Sequence, residues 1–99
     1  MNLHKNTVIL TLSKDSTFNE IKVSNEVSNF IINVENIDDS LFQDIRNKLL
    51  TFGNKVKNLG GSFVVVSNSI KDVDFDIIPS IQEAYDFIEM EEIEKQLNN

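Results

Sequence analysis

The sequence predicts an α/β fold, a β-sheet layered with helices. Three observations carry that expectation: a nearly continuous apolar run at Phe30–Val34, an amphipathic stretch over residues 41–59, and a second apolar run at Ser62–Val66, in that order along the chain. Strand, helix and strand in succession make a βαβ unit, which pairs its strands in parallel with a right-handed crossover. The 99 residues, with no linker, repeat or low-complexity segment, read as a single domain over 1–99. A domain of this size buries roughly two thirds of the surface its unfolded chain would expose, leaving little material to wall off a deep active site.

Taken in order, Thr7–Leu12 alternates as a strand does, with Val8, Leu10 and Leu12 on one face, and Ser13–Ser16 makes a turn. Residues 17–28 admit two readings. Ile21-Lys22-Val23 alternates like a short strand, the preferred reading, while Thr17 with Glu20 has the spacing of a capping box for a short helix. Ser24-Asn25-Glu26 then reads as a turn. The run Phe30–Val34 fits a strand covered on both faces.

Within 41–59, Leu41, Phe42, Ile45, Leu49, Phe52, Val56 and Leu59 fall on about one 100° stripe, with Leu50 the one apolar residue opposite and Arg46, Asn47, Asn54 and Lys57 away from the stripe. Ser40 is placed to cap this helix, Asp38 and Asp39 lie at the positive end of its dipole, and Gly60-Gly61 supplies a left-handed stop. Phe75–Ile78 reads as a short strand that Pro79 ends by withholding an N–H. Ser80 and Glu83 have capping-box spacing for a last helix beginning at Ile81.

Composition narrows the function classes. There is no cysteine, which removes disulfides, thiolate catalysis and cysteine-ligated zinc. One histidine, His4, cannot make a multi-histidine metal site and reads as a solvated residue of an N-terminal tail. The net charge of −7 is uneven: residues 1–71 sum to +1 and residues 72–99 to −8. An acidic end repels phosphate backbones, so no nucleic-acid partner is expected; it suits a basic protein partner or serves solubility. No apolar run approaches the ~20 residues a membrane span needs. The opening Met1–Leu10 carries no separate signal-peptide core, so the expectation is a cytoplasmic protein with no membrane association.

The segments Gly60-Gly61-Ser62-Phe63-Val64-Val65-Val66 and Ile77-Ile78-Pro79-Ser80-Ile81-Gln82-Glu83-Ala84 together resemble the second half of a STAS domain, the fold of bacterial anti-sigma factor antagonists. The continuation Phe87–Glu94 is similar to the tail of small, divergent members, and the resemblance covers residues 30–97. It implies a mixed β-sheet of four to five strands with helices packed on it. It implies a non-enzymatic regulator that binds a protein partner, an anti-sigma factor or kinase-like regulator. It implies no cofactor, and a switch by phosphorylation of a serine where a helix follows the central strand. The family motif there is Asp-Ser-Ser-Gly. Here Asp39-Ser40 matches its first two positions, while the second serine and the glycine are absent.

Ser40 is therefore the candidate phosphorylation site, and Asp38, Asp39, Ser40 and Leu41 the candidate partner-binding residues. A phosphate on Ser40 would meet free N–H groups at a helix start; the plainer account is a cap and no more. Asp38, Asp39 and Asp44 could join a Mg²⁺ site only with distant ligands, and dipole-favourable charge at a helix start is the preferred account of them. Gly60-Gly61 follows a helix and precedes a strand, the reverse of a phosphate-binding loop. No nucleophile–base–orienter set is readable by spacing.

The last helix carries two stripes. Ile81, Ala84, Tyr85 and Ile88 suit the sheet, whereas Phe87, Met90, Ile93 and Leu97 lie about half a turn away. Either the helix bends near Glu89, or the tail folds over its own domain, or this second stripe faces a partner protein or a second copy, the last making it a candidate self-association surface that pairs two copies as a homodimer. Two alternatives to a phosphorylated regulator remain from sequence: an unphosphorylated scaffolding module, and a carrier of an apolar or nucleotide ligand.

Overall fold

The computed structural model describes residues 7–13 and 29–97. Four strands, β1 (Thr7–Ser13), β2 (Asn29–Asn36), β3 (Phe63–Val66) and β4 (Ile77–Ile78), form one sheet in the order β1-β2-β3-β4. Helix α1 (Asp39–Asn58) joins β2 to β3, and α2 (Ile81–Leu97) follows β4. The chain is thus an α/β protein. The readings of residues 17–28, and of His4, lie outside the described residues.

All three neighbouring pairs run parallel, with Phe30 opposite Phe63, Val8 opposite Phe30 and Val65 opposite Ile77. The mixed sheet expected from the resemblance is thereby corrected for the described strands. The reason is in the connections. Helix α1 returns the chain to the amino edge between β2 and β3, and residues 67–76 do the same between β3 and β4 without a helix. Each connection long enough to recross the sheet restores the original direction.

The sheet has two dry faces, which is why β2 and β3 read as unbroken apolar runs. On one face Phe30, Ile32, Val34, Phe63 and Val65 pack with Phe42, Leu49, Phe52 and Val56 of α1. On the other Ile31, Val64 and Val66 pack with Ala84 and Ile88 of α2, and Ile78, Ile81, Tyr85 and Phe87 close the margin. Three phenylalanines stack edge-to-face across the α1 layer, Phe52 lying 4.9 Å from Phe30 and 5.9 Å from Phe63 between ring centroids. Gly53 lets helix and strand meet there. A methyl group at position 53 would sit 2.8 Å from Cδ2 of Phe63. Leu50, on the far side of the sequence stripe, still packs at the core margin.

The helix ends are set locally. At the carboxyl end of α1, Gly60 has φ 91°, its N–H donates to the Lys57 carbonyl (3.0 Å) and Gly61 N–H donates to Val56 (2.9 Å). That pattern is a Schellman stop, and it needs a residue without a Cβ penalty at Gly60. Ser80 caps α2 as expected, its Oγ accepting from Glu83 N–H at 3.2 Å. Buried Asn29 ties the two strand starts together, its Oδ1 accepting from Ser62 N–H (2.9 Å) while Phe30 N–H donates to the Ser62 carbonyl (2.9 Å).

Candidate binding surface at the carboxyl edge of the sheet

Strands β2 and β3 both point their carboxyl ends at one edge, so the chain leaving β2 and residues 67–76 after β3 share it. In parallel α/β sheets this edge is where the chain is free of ladder duty and where ligands and partners are met.

The first part of the edge is the start of α1. Ser40 does not cap it. Asp38 does, with extended backbone (φ −92°, ψ 176°) and Oδ1 accepting from Leu41 N–H at 2.9 Å, while Phe42 N–H donates to the Asp38 carbonyl at 3.0 Å. The helix begins at Asp39, two residues before the sequence stripe, and Ser40 is its second residue. A carboxylate is a stronger acceptor than a hydroxyl and is favoured by the positive end of the dipole, so the aspartate takes the cap. The Ser40 side chain is consequently not occupied by capping. Asp38, Asp39 and Ser40 are all exposed, and Leu41 is half-buried at the core margin. Together with Asn36 and Asp44, residues 38, 40 and 41 line an open hollow of about 400 Å³. Among the described residues no cluster of three metal-ligating side chains forms, there or elsewhere.

The second part is the 67–76 connection, which is unusually well fixed for a loop. Ile70 and Phe75 are buried and join the α1 core, Phe75 meeting Phe42 edge-to-face at 5.7 Å. Ser67 Oγ accepts from the N–H groups of Ser69 (3.1 Å) and Ile70 (3.0 Å). Asp72 Oδ1 accepts from Asp74 N–H at 3.1 Å.

Arg46 then fastens the loop to α1. Its guanidinium grips Asp72 through two bonds, Nε to Oδ2 at 2.5 Å and a terminal nitrogen to Oδ1 at 3.0 Å. It also binds Asp74 and lies over the Phe75 ring, 5.7 Å from its centre. Such a forked, charge-assisted grip is specific to arginine. The same hydrogen bonds hold the Asp72 carboxyl below the usual aspartate range.

Between the two gripped carboxylates stands Val73, wholly exposed. It lines a second open hollow of about 400 Å³ with Ser67, Asn68, Ile70, Lys71 and Phe75 among its neighbours. Sequence reading missed both Arg46 and Val73. The signal was present only as an Asp-x-Asp spacing around an isolated valine, which says nothing without the arginine that lies 26 residues earlier.

The geometry offers an acidic helix start and, on the loop that Arg46 fastens to the same helix, a presented apolar side chain. That combination is complementary in charge and polarity to a basic, partly apolar surface. A phosphate on Ser40 would crowd the carboxylates of Asp38, Asp39 and Asp44 and compete with Asp38 for Leu41 N–H, so it would act by repulsion.

On the other face of the sheet α2 is one continuous helix with no break at Glu89. Met90, Ile93 and Leu97 are exposed, at 58%, 43% and 79%, so they neither bend into the core nor fold over the domain. Phe87 differs from its stripe-mates, being half-buried against the α2 core.

No protein family, curated protein or solved structure matches this chain. No described helix is long and apolar enough to cross a membrane.

Proposed function

We propose that the chain is a regulatory, protein-binding domain of STAS-like type, acting by association and not by catalysis, with its contact surface at the carboxyl edge of the sheet. The surface comprises Asp38, Asp39, Ser40 and Leu41, extended by Val73. The observation that carries this reading is Val73: a valine without any burial, on a loop that one arginine grips on both sides of it. An unburied apolar side chain contributes nothing to the fold. Fixing its loop lowers the ordering cost of docking it against a partner. The acidic start of the helix to which that loop is fastened favours a partner with lysine or arginine around an apolar contact.

The resemblance of residues 30–97 to anti-sigma factor antagonists suggests an anti-sigma factor or kinase-like regulator as that partner, in the cytoplasm. In this reading Ser40 is the switch. Its exposed hydroxyl is open to a kinase, and adding about −1.5 to −2 charges beside three carboxylates would weaken a contact made there. A second reading, an unphosphorylated scaffolding module using the same surface, is favoured by the cap, since Asp38 already holds the Leu41 N–H that a phosphate would want.

Affinity capture from the native cell with wild type, Val73→Asp, Ser40→Asp and Ser40→Ala tests both. The binding reading expects a specific protein retained by wild type and Ser40→Ala and lost with Val73→Asp. Loss with Ser40→Asp as well supports the switch, and its retention supports the scaffold. Identical partner sets from wild type and Val73→Asp would end the proposal.

A further inference from the structure

Helix α2 is about 26 Å long at 1.5 Å per residue, while the four residues of β3 that it crosses span only about 13 Å. Because β2 and β3 start level, with Phe30 opposite Phe63, the helix outruns the sheet at its amino edge. Its inner stripe ends at Ile88, and the next inward positions are Glu92 and Lys95. Lys95 Nζ donates to the Gly60 carbonyl at 2.7 Å, at the end of α1, and approaches Glu92 at 3.9 Å. This contact fastens the overhanging half of α2 to the domain and leaves the opposite side facing out.

That outer side carries Met90, Ile93 and Leu97. Their spacing of three then four residues is the a, d, a pattern of a coiled-coil seam. The residues that flank such a seam are Glu89 and Gln96 on one side and Phe87 and Glu94 on the other. One heptad earlier the seam position is Asp86. In a parallel pair of identical helices, a flanking residue meets the partner residue five positions on. Glu89 would then face Glu94 of the second copy, twice per dimer. In an antiparallel pair each flank meets its own kind, Glu89 beside Gln96 and Phe87 beside Glu94, with no lysine or arginine on either side to offset the glutamates. Like charges in these positions set partner choice by exclusion.

We propose that the outer face of α2 is a second docking site, and that its occupant is a basic amphipathic helix of another protein, with apolar residues in the Met90–Ile93–Leu97 seam and lysine or arginine opposite Glu89 and Glu94. A parallel homodimer on the sequence stripe is disfavoured by those glutamates, and an antiparallel one gains no charge pairing from its flanks. The same charges repel anionic lipid and nucleic-acid surfaces. Three seam residues make a small contact, of the transient class.

The test uses the full chain and two synthetic helical peptides with identical leucine seams, one flanked by lysine and one by glutamate. Binding is followed by fluorescence anisotropy, and the solution mass by sedimentation. The expected result is a monomer that binds the lysine peptide at least tenfold more tightly than the glutamate peptide. The double variant Glu89→Lys/Glu94→Lys should invert that preference, and Ile93→Ser should abolish binding to either, with helix content unchanged by circular dichroism. A dimer at the same concentrations that Ile93→Ser dissociates would overturn the proposal in favour of a second copy. Equal affinity for the two peptides, or none for the lysine peptide, would overturn it outright.

Discussion

Helix α1 keeps an apolar inner face in contact with the core for most of its length, whereas α2 leaves the sheet halfway along. Both cross the same two strands, β2 and β3, so the difference lies in what extends the core beyond them. At the carboxyl edge Ile37, Ile70 and Phe75 prolong the α1 layer past the end of β3, and Leu41, Phe42 and Ile45 pack there. At the amino edge no described residue extends the α2 layer in this way. Inward positions become Glu92 and Lys95, and the apolar residues move to the opposite face. An apolar stripe on a helix thus reports core only as far as there is something for it to cover. Where it outlasts the sheet, it reports a surface.

The sharpest way to break this contrast is truncation of side chains on the two helices. Phe52→Ala on α1 should cost about 3–5 kcal/mol and Ile88→Ala on the inner face of α2 about 2–5 kcal/mol, by chemical denaturation. A second, smaller effect belongs to the point where α1 touches β3. Gly53→Ala should cost about 1–3 kcal/mol, because the new methyl meets the Phe63 ring in a packed layer. Combining it with Phe63→Leu should recover part of that loss, and strict additivity would show that the contact is not the cause.

The 67–76 anchor adds a pH-dependent term. Arg46 holds the Asp72 carboxyl below the usual aspartate range, so the folded state prefers it ionised. The resulting stability is fully present above the ordinary aspartate value of about 3.9 and is lost as pH falls through the lowered folded value. Asp72→Asn should therefore be less stable than wild type near neutrality, with the gap closing in acid. A gap that is independent of pH would assign the loss to packing instead. The smallest effect is expected on the outer face of α2, where Met90→Ser and Leu97→Ser should each change stability by no more than about 0.5 kcal/mol. A loss comparable to that of Ile88→Ala would mean that this face is covered.

The contrast also shows which parts of the molecule local sequence could specify. The two buried strands, the α1 stripe from Leu41 to Val56, the Gly60-Gly61 stop and the Ser80 cap each depend on residues within a few positions of one another, and each is found where the pattern put it; Leu59, the last residue of the sequence stripe, lies past the helix end and is exposed. The start of α1 was misplaced because Asp38, Asp39 and Ser40 are all competent caps, and only the competition between carboxylate and hydroxyl decides among them. The direction of the strands after β2 could be read for the β2–β3 pair but not for β4, because residues 67–76 carry no periodic pattern to show that they recross the sheet. The Gly53–Phe63 approach and the Arg46 grip on Asp72 and Asp74 join residues far apart in sequence. Along α1 the arginine is merely one polar residue off the apolar stripe. The candidate surface was accordingly half legible: its acidic helix start by motif, its apolar point at Val73 not at all.

Site-specific photo-crosslinking in the native cell tests the central claim most directly. A photoreactive residue is placed at position 73, at position 39, or at exposed Asn58 at the opposite end of α1. The account predicts one shared protein adduct from positions 73 and 39 and none of it from 58. The same adduct from position 58, or none from 73 and 39, would contradict a partner seated at the carboxyl edge.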